Sequence, residues 1–175
     1  MHTNKPKLTI VGAGPGDVEL ITLKAIKALE SADVVLYDAL VNEDLLQYAK
    51  QAQIIFVGKR FGCHAYSQDQ INDLIVSMAK RFGHVVRLKG GDPFIFGRGG
   101  EEVQHLLAAG INVHVINGIT AGLAAVTSLN IPLTHRDSAH GVVFITGHNK
   151  PGGQINDWET LAVCAHKSHL TLVIY

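Results

Sequence analysis

The stretch Lys89-Gly90-Gly91-Asp92-Pro93-Phe94-Ile95-Phe96-Gly97-Arg98-Gly99-Gly100-Glu101-Glu102 concentrates more usable chemistry than any other part of the chain. Its glycines let backbone N–H and C=O groups approach a flat ligand, Phe94 and Phe96 supply apolar walls, and Arg98 offers a fork for a carboxylate. A plain connection usually takes ~4–6 residues, so this length favours a binding role over a structural Ω-loop. A second glycine loop, Gly12-Ala13-Gly14-Pro15-Gly16-Asp17, permits a sharp turn with helix-start amides behind it. The dinucleotide fingerprint needs a glycine where Asp17 stands, and Pro15 removes a donor, so a plain strand-to-helix turn weighs evenly against a ligand role. Asp38 has three readings: acceptor for a ribose hydroxyl, base over a substrate, or helix cap. Lys59-Arg60 adds two cations, which alone mean little because surface lysines are usually solvated. Gly118 to Gly122, Pro132 to Asp137 and His148 are further polar or small-residue clusters, each ambiguous by itself.

The elements that must hold these groups follow from hydrophobic spacing. Apolar runs at Lys7–Val11, Val34–Tyr37, Ile54–Val57, His84–Leu88 and Asn112–Ile116 read as strands. Between them lie helical patterns over Thr22–Ser31, from Asn42, over Ser67–Phe82 with a Ser67-x-x-Gln70 capping box, and over Glu101–Ala109. The alternation predicts an α/β fold with a mainly parallel sheet covered on both faces. Ligands of such sheets bind outside the carboxyl ends of the strands, where the clusters above fall. The spacing predicts a first domain over residues 1–116. A second begins at 117 with a helix over Thr120–Leu129 and strands at Val142–Thr146 and Leu170–Tyr175. Because the chain stops inside an apolar strand, this second domain is expected to be truncated within 117–175.

Composition narrows the partners. The 175 residues carry Lys+Arg 15 against Asp+Glu 15, with 47% hydrophobic and 17% charged residues, which excludes a disordered chain. A formal net charge of +0 removes the broad field that non-specific nucleic-acid or anionic-membrane binding needs, so neither partner is expected. No apolar run approaches the ~20 residues of a membrane span, and the polar start is unlike a secretory signal. Cys63 and Cys164 have no CxxC spacing and fit a reducing, cytoplasmic setting. The ten histidines lack HExxH spacing, so no metal site is expected. Neither a Gly-x-Ser-x-Gly elbow nor a Walker loop occurs.

Taken in order, VGAGPGD (Val11–Asp17), DVVLYDALV (Asp33–Val41), FVGKR (Phe56–Arg60), VVRLKGGDPFIFGRGGEE (Val85–Glu102), GITA (Gly118–Ala121), IPLTHRD (Ile131–Asp137) and TGH (Thr146–His148) resemble the tetrapyrrole methylases, and within them the uroporphyrinogen-III C-methyltransferase group. The resemblance implies two αβα domains with S-adenosylmethionine in the cleft between them, S-adenosylhomocysteine as product, a tetrapyrrole substrate and a homodimer. The implied activity is methylation of uroporphyrinogen III at ring carbons 2 and 7 to give precorrin-2. By the same resemblance Pro15, Gly90, Gly91, Asp92, Ile95, Thr120 and Ala121 are cofactor contacts. Asp38 is the proton acceptor, Lys59 the proton donor and Arg98 a catalytic cation, while Arg136, His148 and Glu101 serve the substrate carboxylates. Members of the family continue past Tyr175 with a methionine that touches the cofactor, which again implies an incomplete second domain, and the start at Met1 leads us to expect no fused module upstream. The rival expectations are a nucleotide-binding oxidoreductase and a non-catalytic fragment.

Overall fold

The computed structural model describes residues 5–58, 66–148 and 156–175. It divides into two units, Met1–Thr120 and Ala121–Tyr175. In the first, β1 (Lys7–Gly12), β2 (Val34–Tyr37), β3 (Gln53–Phe56), β4 (His84–Lys89) and β5 (Asn112–Ile116) form one sheet in the order β3-β2-β4-β1-β5. Every neighbouring pair is parallel. The three inner strands are almost wholly buried, which is why they read as unbroken apolar runs and not as alternating ones.

Each face is closed by helices whose apolar stripe matches it. On one side α1 (Leu23–Glu30) and a 3₁₀ helix, Glu43–Tyr48, bury Ala25, Leu29 and Leu45 against Val11, Val35, Val86 and Leu88. On the other, α2 (Gln68–Phe82) and α3 (Gly99–Ala108) bury Ile71, Ile75, Ala79 and Leu106 against Leu8, Ile10, Val34, Leu36 and Val85. Full burial of one such Leu or Ile side chain stabilises by about 1.5–3 kcal/mol. The caps are as the sequence implies: Thr22 accepts from the Ala25 amide, and Ser67 with Gln70 forms a complete capping box. Gly83 closes α2 at φ 107°, a value that a residue with a Cβ rarely adopts.

The chain leaves β1 toward α1 on one face and leaves β4 toward α3 on the other, although β1 and β4 are neighbours. Between them lies the switch point of the sheet, and the carboxyl rim there is the place where open parallel sheets receive ligands.

Three local outcomes differ from the periodicity. Val18–Leu20 forms a 3₁₀ turn capped by Asp17, the stretch after Asn42 is 3₁₀ and not α, and α3 starts at Gly99 in place of Glu101. The earlier start of α3 has a packing reason: a Cβ on Gly99 would lie 2.5 Å from the Pro93 carbonyl oxygen, so glycine lets the first turn nest against the preceding loop.

The second unit holds α4 (Ala121–Ser128), β6 (Gly141–Ile145), α5 (Trp158–Ser168) and β7 (Leu170–Ile174). β6 and β7 pair in parallel. Asp157 caps α5, a helix that the apolar spacing leaves unannounced because none of its residues is buried.

At the amino edge of the sheet a concavity of about 470 Å³ includes Lys7, Asp33 and His84. Both ring nitrogens of His84 are already used, 2.9 Å from Thr9 Oγ1 and 2.9 Å from the Ser31 carbonyl. Burial holds its pKa below the usual histidine value; the Ser31 carbonyl opposes this and Lys7 adds to it. Between that lowered value and about 6.5 the unfolded chain binds the proton and the folded one does not, so stability falls as pH drops through this window. Thermal melts from about pH 7 to about pH 5 are expected to show a declining midpoint whose slope is shallower in His84→Asn; identical slopes would contradict this.

Candidate functional site

At the carboxyl rim three strand ends come closer together than side chains allow. Gly91 and Gly14 exchange backbone hydrogen bonds of 2.7 and 3.2 Å, and the Ala13 amide donates to the Lys89 carbonyl at 2.7 Å. A Cβ on Gly118 would sit 2.2 Å from the Gly91 oxygen, and one on Gly12 would sit 2.4 Å from the Gly118 nitrogen. Buried Asp92 ties the same loops together. Its Oδ1 accepts from the Phe94 amide at 2.8 Å, and its Oδ2 accepts from the Gly118 amide at 3.1 Å and from Asn117 Nδ2 at 3.2 Å. The result is a rigid shelf of backbone. Beside it Phe94 and Phe96 are 54% and 47% exposed, and Phe96 and Arg98 take left-handed φ values of 53° and 56°. Left-handed backbone in residues other than glycine carries strain, which clusters at functional sites.

Behind the shelf lies a set of buried charges. Alternation along β4 turns Arg87 and Lys89 to the α2/α3 face, opposite Val86 and Leu88. Arg87 Nη2 donates to Asp38 Oδ2 at 2.9 Å, with Asp38 at the end of β2, and Arg87 Nε lies 3.5 Å from Glu102 Oε1 in α3. Lys89 Nζ donates to the same Glu102 oxygen at 3.1 Å, and Gln68 Nε2 does so at 3.1 Å. The Arg87 and Glu102 side chains are 4% and 0% exposed, whereas Asp38 keeps 23% and faces the rim. Burial draws the Lys89 pKa below the usual lysine range, Arg87 adds to that, and Glu102 opposes it. Breaking such a pair by removing one member costs roughly 3–5 kcal/mol, because the other charge is left buried and alone.

Of the residues singled out from sequence, Pro15, Asp38, Gly90, Gly91, Asp92, Ile95 and Thr120 all lie in the loops that follow β1, β2, β4 and β5. Of the three readings of Asp38, the helix cap fails: Asn42 caps the following 3₁₀ helix, and Asp38 Oδ1 instead accepts from the Leu40 amide at 3.2 Å. Arg98 and Glu101 form an exposed pair, with Nε to Oε1 at 3.0 Å, and this bond holds Arg98 still more firmly protonated. Ala121, Arg136 and His148 belong to the second unit, where Arg136 is exposed in the turn bridged by His135 and Ala139 and His148 is exposed after β6. Lys59 lies outside the described residues. The spacing argument missed Arg87, Lys89 and Glu102. Two charges two apart in an otherwise apolar strand were the available signal, since period 2 puts both on one buried face.

The Gly12–Asp17 loop is poorly built for a pyrophosphate. The 3₁₀ turn capped by Asp17 intervenes, and α1 begins only at Leu23, so no α-helix N-terminus follows the glycines directly. The sequence model of the Tetrapyrrole (Corrin/Porphyrin) Methylases matches residues 7–175. The chain belongs to this family.

Among its relatives, the siroheme synthase of Actinobacillus pleuropneumoniae serotype 7 (strain AP76) is 52% identical over 179 residues, covering 100% of this chain and 36% of that protein. The siroheme synthase of Blochmanniella pennsylvanica (strain BPEN) is 51% identical over 169 residues, with 96% and 35% covered. The chain thus spans about a third of the length of these curated relatives. A crystal structure of uroporphyrin-III C-methyl transferase from Thermus thermophilus complexed with S-adenyl homocysteine superposes with a TM-score of 0.72 at 44% identity, covering 88% of this chain and 60% of that one. The X-ray structure of the cobalamin biosynthetic enzyme cobalt precorrin-4 methyltransferase, CbiF, gives 0.80 at 30% identity, with 97% and 68% covered. The tetrapyrrole methylase fold expected from the sequence is therefore the fold observed.

The shelf makes a stability prediction with a built-in control. Gly118→Ala must push backbone apart and is expected to destabilise by about 1–3 kcal/mol. Gly100→Ala, where a Cβ meets nothing within 4 Å, should be neutral or stabilise by about 0.5–1 kcal/mol in its helical setting. Urea unfolding with equal midpoints for the two variants would refute the close packing of the shelf.

Proposed function

We propose that this chain provides the catalytic core of an S-adenosylmethionine-dependent uroporphyrinogen-III C-methyltransferase, acting at ring carbons 2 and 7 to form precorrin-2. The observation that carries the reading is the placement of the Asp38 carboxylate and the glycine shelf of Gly90–Gly91 on one rim of the sheet, at its switch point. Membership of the methylase family and likeness to a solved relative complexed with S-adenyl homocysteine support it.

The residues present fit such a nucleoside. A flat base and ribose need close backbone approach, which Gly91 at φ 65° and its glycine neighbours allow, and the half-exposed rings of Phe94 and Phe96 offer apolar cover. Pro15, Gly90, Gly91, Asp92, Ile95, Thr120 and Ala121 are the proposed contacts. Asp92 acts there mainly through its backbone, since both of its carboxylate oxygens are engaged in holding the loops. When bound, S-adenosylmethionine supplies an electrophilic methyl group on a sulfonium.

The protein's own part is alignment, exclusion of water and handling of one proton, and alignment alone can lower a barrier by roughly 7–11 kcal/mol. Asp38 is proposed to accept the proton released by the methylated pyrrole. It is partly exposed at the rim, and each carboxylate oxygen already takes one donor, which fixes its direction. Lys59 is proposed as the donor. Arg98, steadied by Glu101, keeps guanidinium donors free of that pair for the substrate's carboxylates, with Arg136 and His148 in the same service. A homodimer working in the cytoplasm completes the reading, and the exposed free thiol of Cys164 suits a reducing compartment.

Two measurements on the intact protein test this. Calorimetric titration should show binding of S-adenosylhomocysteine and none of NADH; the reverse would favour an oxidoreductase. Asp38→Asn should reduce methyl transfer to uroporphyrinogen III by about 10²–10⁴-fold while retaining S-adenosylhomocysteine binding. Turnover near wild type in that variant would remove Asp38 from the chemistry.

A further inference from the structure

Arg87 is too deeply buried for a substrate carboxylate to reach, at 4% side-chain exposure, yet among the described residues its guanidinium forms the salt bridge to Asp38. The guanidinium is itself fixed from two further sides. Nη1 donates to the Leu88 carbonyl at 2.8 Å, and Glu102 Oε1 lies 3.5 Å from Nε. Lys89 and Gln68 hold that same Glu102 oxygen at 3.1 Å each, and Gln68 also donates to Asn72 at 3.3 Å. A chain of contacts thus runs from α2 and α3 through the inside of β4 to the Asp38 carboxylate, which keeps 23% exposure at the rim.

The cost of this arrangement is visible. Glu102 Oε2 and Arg87 Nε are buried without a hydrogen-bond partner among the described residues. Buried polar atoms are nearly always satisfied, and an apolar replacement of such a cluster is often more stable than the cluster itself. Stability alone therefore gives no reason for four charges here. Their geometry does: Asp38 Oδ2 is pinned by a planar fork whose own plane is locked, while Oδ1 is pinned by the Leu40 amide.

We propose that Arg87, backed by Glu102 and Lys89, is the positioning residue of the reaction: it acts through Asp38, setting the direction in which that carboxylate presents its free lone pairs to the proton that the methylated pyrrole releases. The proposal rests on the reading of Asp38 as proton acceptor. Arg87 touches neither substrate nor methyl donor, so its loss should leave their binding unchanged and slow only the step that Asp38 serves.

The test uses the intact protein with uroporphyrinogen III and S-adenosylmethionine. Because Arg87→Gln alone strands Glu102, the main variant is the pair Arg87→Gln with Glu102→Gln, which keeps the buried charges balanced between Asp38 and Lys89. Its kcat is expected to fall roughly 10–100-fold, with KM for the methyl donor and S-adenosylhomocysteine affinity within about twofold of wild type. Introduced on top of Asp38→Asn, the same pair should cause no further loss, since a residue acting through Asp38 has nothing left to act on. Arg87→Lys, which keeps the charge but not the fork, should fall between wild type and the pair, and it carries the test if the pair does not fold. Wild-type kcat in the folded pair or in Arg87→Lys, with Asp38→Asn inactive, would overturn the positioning role and leave the site reading standing. A full additional loss on the Asp38→Asn background would also overturn it. Wild-type kcat in Asp38→Asn would instead bring down the site reading, and this proposal with it.

Discussion

The contact between the backbones at the ends of β1, β4 and β5 governs everything else on the rim. Gly12 and Gly118 meet each other and the Gly91 carbonyl at distances that leave no room for a Cβ on either, and the Asp92 carboxylate closes the same junction with three accepted hydrogen bonds. With the strand ends locked in this way, the loops leaving them have little freedom. The segment after β4 must bulge outward, taking Phe94 and Phe96 into solvent and Phe96 and Arg98 into left-handed backbone. Gly99 then lets α3 begin against Pro93, which delivers Glu102 to the buried face three residues later. A single packing constraint therefore sets both the ligand-facing shelf and the charge cluster behind it.

That cluster sits inside a chain of zero formal charge, with its cations turned toward carboxylates of the protein itself. Among the described residues near the rim, Arg98 is exposed and paired with Glu101, whereas Arg87 and Lys89 are buried and paired with Asp38 and Glu102. The exposed pair contributes little to stability, as surface ion pairs generally do, and its value lies in where it holds the guanidinium. The buried set is costly to desolvate and is offset only by its own balance of two positive and two negative groups. Asp38 belongs to both worlds, since it is held from within the protein and open on the outside.

Much of this was legible in the sequence, for physical reasons that can be named. Inner parallel strands are buried on both faces, so Val34–Tyr37 and Val85–Leu88 stand out as apolar runs, and Ser67 with Gln70 announces α2 through a cap that forms locally. The rim residues could be picked out because glycines after a strand have few other uses, and because the motifs resemble one family over nearly the whole chain. The strand order was not legible. β4 enters between β1 and β2 through pairings with no local signature, and only that insertion creates the switch point. Nor was α5 legible, whose exposed surface leaves no apolar stripe, nor the Arg87 cluster, whose partners lie 49 and 15 residues away along the chain from Arg87 at Asp38 and Glu102. Helix starts at glycine, as in α3, are discounted by propensity and were recovered only through packing.

The central claim is that the methyl donor rests on the glycine shelf, with its reacting end toward the Asp38 carboxylate. A crystal structure of the intact protein with S-adenosylhomocysteine would address it most directly. The account predicts the nucleoside against Gly90–Ile95 and Thr120, its sulfur directed toward Asp38 and the backbone of the shelf unchanged. Density for the nucleoside at the amino edge of the sheet, or a shelf filled by the protein's own side chains, would contradict it.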